Sequence, residues 1–263
     1  MIFRDAGCVF VHIPKAAGIT ISQALYGGDL PSVSGPPDYE IAHGWCPTRC
    51  VWLQHLTVEE LLHFELLSED ELDEMFVFAV TRNPFDRAVS DFYFLRRHIY
   101  HYGRFTDMIE RTGRWEVVLN DTSTSRYRGD HLRPQADYVC IGDKEVCDYV
   151  GRFEQLADVE YELSRRSLLR QPFAHSNAGR SAFDHYSHFY SDSERDLIAQ
   201  TYASDLQRFS YSFDDRRTTR TRIQRLGRRL RRGVGPRVDR RTRRLARSID
   251  WRRSPTGNGR DTP

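Results

Sequence analysis

The chain is 263 residues long, 39% hydrophobic and 29% charged, which supplies enough apolar content for one self-sufficient globular domain. No apolar run approaches the roughly 20 residues of a membrane-spanning helix. The opening segment carries Asp5 and Lys15 with no small-residue cleavage site, so neither a span nor export is expected and a cytoplasmic location is. Charge is split along the chain: residues 216–263 hold 18 Arg, no Lys and three acids, a net +15, which leaves 1–215 at −13 within a total of +2. An acidic domain over 1–215 with an Arg-rich tail over 216–263 is therefore expected. Five cysteines without an export signal are expected as free thiols. Cys46 and Cys50 with His43 and His55 nearby are too loosely spaced for a zinc site, and no metal is expected.

In chain order, the apolar run 8–13 predicts a strand buried on both faces. A tight turn, Pro14-Lys15-Ala16-Ala17-Gly18, leads into a helix from Ile19 to Tyr26 that Gly27-Gly28 stops. Residues 29–50, rich in Pro, Gly and Ser, predict an irregular excursion. A helix over 57–67 follows, with Thr57 and Glu60 set as a capping box. The run 75–80 predicts a second buried strand. Pro84 in a first helical turn then launches a helix to about Tyr100. Further strands are expected at 138–141 and 149–153, then a helix from Glu154 and an amphipathic helix over 192–206. Strands alternating with helices imply a three-layer α/β/α fold around a central parallel sheet. In the tail, Ile223, Leu226 and Leu230 fall at helical spacing among arginines, a basic amphipathic stripe in a segment otherwise expected to be disordered.

Both strand-to-helix junctions carry anion-binding chemistry, at the edge where doubly wound sheets place ligands. At the first, backbone N–H groups around Ala16, Ala17, Gly18, Ile19 and Thr20 open a helix, with Lys15 as a point charge and Thr20 as a hydroxyl. At the second, Arg82 follows the strand and Ser90 lies two helical turns on. Two such sites on neighbouring strands suit a ligand with two phosphate-like ends.

The first segment, His12-Ile-Pro-Lys-Ala-Ala-Gly-Ile-Thr20, resembles the 5′-phosphosulfate loop of sulfotransferases. The second, Val80-Thr-Arg-Asn-Pro-Phe-Asp-Arg-Ala-Val-Ser90, resembles their 3′-phosphate motif. The pattern is similar to the carbohydrate-type branch that includes the Golgi 2-O-sulfotransferases and bacterial relatives. Weaker likenesses continue at Arg133-Pro-Gln135, Gly151-Arg-Phe-Glu154, Tyr202-Ala-Ser-Asp205 and Phe209-Ser-Tyr211. Ala16 and Ile19 stand where that family commonly has hydroxyl residues.

This resemblance implies a P-loop-NTPase-like sulfotransferase fold and 3′-phosphoadenosine 5′-phosphosulfate (PAPS) as donor, without a metal. The acceptor it implies is a hydroxyl on a carbohydrate or glycolipid. It places Lys15 at the leaving phosphate and Arg82 with Ser90 at the 3′-phosphate. It adds Asn177 and Arg180 in a loop over the adenosine. For the acceptor base, His55 leads, His43 follows, and a carboxylate or another residue stays open; His12 is read as a core residue and Glu59 and Glu60 as solvated helix charges.

Two other readings stay open. A nucleotide kinase or other P-loop NTPase would share the fold, although the Walker order G-x4-G-K-[ST] is absent because Lys15 precedes Gly18. A binding protein would act through the tail. There, anionic lipid at the inner membrane face suits the apolar stripe better than nucleic acid, since Trp251 is the tail's one aromatic.

Overall fold

The computed structural model of the chain describes residues 1–99, 103–174 and 185–218. Asn177 and Arg180, the stripe at Ile223, Leu226 and Leu230, and Tyr100 at the end of the expected helix lie outside those residues. The chain divides at Arg217, and Met1–Arg217 contains everything described below except Thr218.

The strand pattern explains the layers. In Cys8–Val11 and Phe76–Thr81 every position but Phe76 is buried, so both faces need cover. Alternate residues enter different cores. Cys8, Phe10, Phe78 and Val80 meet Ile21, Ala24 and Leu25 of the helix Gly18–Tyr26 and Val159 and Leu163 of the helix Leu156–Arg165. Val9, Val11, Val77 and Ala79 meet Leu53, Leu56, Val58, Leu61 and Tyr138 on the opposite face. The result is a three-layer α/β/α fold.

The sheet runs Ile2–Phe3, Cys8–Val11, Phe76–Thr81, Tyr149–Arg152 in spatial order. The last three strands are parallel, with Val11 opposite Ala79 and Thr81 opposite Arg152. Ile2–Phe3 is an antiparallel edge that the sequence pattern did not announce. A third core packs the long helix Pro84–Ile99, through Phe85, Val89 and Phe92, against Phe105, Trp115, Phe189, Tyr190 and Tyr202.

Three expectations need correction. The helix expected over 57–67 is Val58–His63, followed by a second helix Glu69–Glu74; the capping box of Thr57 and Glu60 is present. The expected strand at 138–141 is a helical turn, Ala136–Val139, followed by a two-residue hairpin arm outside the main sheet. Its cause is tertiary: the Asp205 carboxylate accepts the main-chain N–H groups of Gln135 and Ala136 at 2.9 Å each and so caps the turn. The helix expected over 192–206 is two, Asp192–Thr201 and Ala203–Arg208. It breaks at Tyr202, whose hydroxyl donates to the Leu132 carbonyl. All five cysteines are free thiols. Among the described residues no helix is long and apolar enough to cross a membrane.

Candidate active site

After Val11 the chain turns within six residues into the helix Gly18–Tyr26. Lys15 and Ala17 both hold the left-handed conformation at φ 66°, rare for residues with a Cβ and a form of stored strain. Ala17 is the N-cap and has no side chain able to cap. The N–H groups of Gly18 and Ile19 therefore have no intrahelical acceptor and carry the positive end of the helix dipole. Gly18 is required sterically: a Cβ there would fall 1.6 Å from Nε2 of His12, whose ring packs against it. Ile19 is 69% exposed. Its replacement of a hydroxyl residue leaves the backbone donors in place.

The second junction meets the first directly. Because Cys8–Val11 and Phe76–Thr81 are parallel neighbours, their C-terminal ends share one edge. Arg82 Nη1 donates to the Lys15 carbonyl at 3.0 Å. Nε and Nη2 donate to Asp86 at 2.9 and 2.7 Å, and the guanidinium lies 4.0 Å over the Phe153 ring. Asp86 and Ser90, one turn apart, share a face of the long helix, and Ser90 is partly buried. Gln135 holds the Arg82 main chain from both sides, accepting its N–H and donating to its carbonyl at 2.8 Å each. Glu154 accepts the Asn83 N–H at 2.8 Å.

Beside Lys15 lies a group of imidazoles. The Lys15 ammonium sits 4.2 Å from the centre of the Phe94 ring, and Phe94 stacks on His131 at 5.1 Å. His131 meets His55 edge-on at 5.4 Å, and His55 meets His12 at 4.7 Å. His55 ends the 3₁₀ turn Leu53–His55 and is partly buried. Its Nδ1 lies 3.1 Å from the His12 carbonyl, which only accepts, so Nδ1 carries the proton and Nε2 the lone pair. Burial and the neighbouring His12 and His131 imidazoles hold His55 well below the usual histidine range. Burial pushes His12 down to about 3, so both rings are neutral at pH 7.

His43 lies apart from this chemistry. It is buried in the 29–50 excursion with Nε2 donating to the Pro31 carbonyl at 3.0 Å, and burial also lowers it. The two motifs, then, meet at one sheet edge, joined by the Arg82 hydrogen bond to the Lys15 carbonyl.

A family model described as the sulfotransferase family matches residues 1–212. The chain belongs to the sulfotransferase family. No curated protein and no solved structure matches it. As a sulfotransferase it is a transferase that moves a sulfuryl group to a hydroxyl-bearing acceptor.

Several residues of this sulfotransferase site were not singled out by sequence. His131 Nδ1 lies 2.7 Å from Oδ1 of Asp91, and both are buried. Their signals were weak: Asp91 follows Ser90 in the second motif, and His131 stands two residues before Arg133-Pro-Gln135. Glu60, expected as a solvated charge, instead closes the capping box and holds Arg133 through two hydrogen bonds of 2.7 Å. That pairing, against the cost of burial, draws its carboxyl below the usual range. The structure does not bring Cys46, Cys50, His43 and His55 together. Among the described residues, the one grouping with metal-ligand spacing is His55, Asp130 and His131, whose candidate atoms lie within 4.8 Å of one another.

Proposed function

We propose that this sulfotransferase takes its sulfuryl group from PAPS and passes it to a carbohydrate hydroxyl. The observation that carries the donor assignment is the 3.0 Å hydrogen bond from Arg82 to the Lys15 carbonyl, which makes the two anion-binding junctions a single cradle. On this reading the 5′-phosphosulfate lies over the Lys15-to-Thr20 turn, met by backbone N–H groups and the Lys15 ammonium. Arg82, whose terminal nitrogens each keep one N–H beyond the bonds described, holds the 3′-phosphate together with Ser90.

As the sulfur–oxygen bond breaks, negative charge grows on the leaving phosphate, and Lys15 is placed to meet it. The residues need no metal for this step, since the cation is supplied by the chain itself. The likeness of both motifs to the carbohydrate branch favours a sugar hydroxyl over a phenol or an amine.

Calorimetric titration with 3′,5′-adenosine bisphosphate and with ADP tests the donor. Micromolar binding of the bisphosphate and much weaker binding of ADP are expected. Arg82→Ala should weaken the bisphosphate about 10–100-fold, the worth of charge-assisted hydrogen bonds. Equal affinity for the two nucleotides would refute the assignment and favour a kinase-like site.

A further inference from the structure

Resting on the sulfuryl-transfer reading, we propose that His131 is the base that takes the acceptor proton. Asp91 positions it, and His55 and Asp130 complete the pocket for the acceptor hydroxyl.

Two imidazoles of this group, His55 and His131, differ in what lies behind them. A base becomes a cation as it works, so the group behind it decides how well that charge is tolerated. Behind His55 is a neutral carbonyl, that of His12. The His12 and His131 rings and Arg128 all oppose a positive charge on it. Behind His131 is a carboxylate, Asp91, at 2.7 Å, which fixes the proton on Nδ1 and leaves the Nε2 lone pair outward. No described residue hydrogen-bonds that Nε2. The dyad is rigid: Arg87 donates to the His131 carbonyl at 2.7 Å and lies 3.9 Å from Asp91.

An independent observation comes from Asp130. Asp130 is 6% exposed, and neither carboxylate oxygen makes a well-formed hydrogen bond; the neighbouring His131 main-chain N–H is directed toward it but donates to the Arg128 carbonyl at 3.2 Å. One carboxylate oxygen lies within 4.8 Å of a ring nitrogen of His55 and of His131. Such a carboxylate is costly to bury unless something donates to it, and burial accordingly raises it. Ring nitrogens of two imidazoles and a buried carboxylate within 4.8 Å of one another suit a ligand rich in O–H groups, as a sugar is.

A divalent cation is the competing occupant. Lys15 across the Phe94 ring, and Arg128 and Arg133 beside Asp130, make the field unfavourable for it. The charged and titratable groups facing His131 are Asp91 and Arg87 from the long helix, Asp130, His55, His12 and, across Phe94, Lys15.

In the step itself, the acceptor O–H proton passes to His131 Nε2 while the oxygen bonds to sulfur. The bond from sulfur to the bridging oxygen breaks, and its electron pair stays on the 5′-phosphate beside Lys15. The products are the sulfate ester and the bisphosphate, and His131 then releases its proton to solvent.

The test uses the full chain with PAPS and water as the acceptor, read as sulfate released across a series of PAPS concentrations. His131→Gln should lose about 10²-fold or more, the usual share of a general base, while His55→Gln loses less than about tenfold. Asp91→Asn should lower kcat for release about tenfold while the KM for PAPS stays within about threefold. A purely structural role would instead disturb KM and bisphosphate binding together with kcat. Bisphosphate affinity should stay within about threefold of wild type in all three variants, since none binds the donor. If the wild type itself fails to bind the bisphosphate, the donor assignment fails rather than the base assignment. A larger loss in His55→Gln than in His131→Gln overturns the proposal, as does an unchanged kcat in Asp91→Asn. One equivalent of zinc on the purified chain, lost in Asp130→Asn, would make the cluster a metal centre and overturn it too.

Discussion

Lys15→Ala is expected to lower turnover of PAPS about 10²–10³-fold, the range for removing one preorganised donor to a developing charge. Bisphosphate affinity should change far less. The asymmetry follows from position. The side chain reaches the cleft edge beside Phe94, whereas the main chain of the same residue anchors Arg82 through its carbonyl. Alanine keeps that carbonyl and suffers the same left-handed φ, so the cradle survives while the ammonium is lost. An interaction that strengthens only as charge develops raises kcat, not ground-state binding. Equal losses in affinity and turnover would instead assign Lys15 to simple donor binding. The measurement is sulfate release beside calorimetry on the same protein.

The second large effect is on stability. Arg87 is 2% exposed and sits between the His131 and Arg133 carbonyls, donating to each at 2.7 Å. The carboxylates of Asp91 and Asp205 flank it at 3.9 and 3.8 Å. Arg87→Leu is expected to destabilise the fold by about 3–5 kcal/mol, because two buried carboxylates lose their shared cation. By contrast, Arg165→Leu, which removes a surface pair with Glu162, should unfold near wild type. Denaturant unfolding of both variants decides it. A loss of under about 1 kcal/mol in Arg87→Leu would mean the carboxylates are protonated or hydrated without it.

Arg87 also shows where sequence reading stopped. It stands inside the second motif, five residues after Arg82, yet nothing in the spacing says that it points inward toward Asp205, far along the chain. The strand-to-helix junctions were legible because their signals are local: an apolar run, a lysine turn, a proline opening a helix. The capping box of Thr57 and Glu60 was legible for the same reason. The Arg133-Pro-Gln135, Gly151-Arg-Phe-Glu154 and Tyr202-Ala-Ser-Asp205 likenesses were each weak alone. Folding makes them one device around Arg82: Gln135 grips its main chain, Phe153 underlies its guanidinium, and Asp205 caps the Gln135 turn. The apolar pattern at 138–141 suggested a strand for want of that capping carboxylate, which arrives from a distant helix. His131 was passed over because a histidine gains its chemistry from what stands behind it, and Asp91 lies 40 residues away.

A crystal structure of the full chain with 3′,5′-adenosine bisphosphate tests most directly whether one nucleotide bridges the two junctions. The expected result is the 5′-phosphate on the N–H groups opening the helix Gly18–Tyr26 with the Lys15 ammonium against it, and the 3′-phosphate on Arg82 and Ser90. A nucleotide seated elsewhere, or reversed so that its 5′-phosphate meets Arg82, would contradict it.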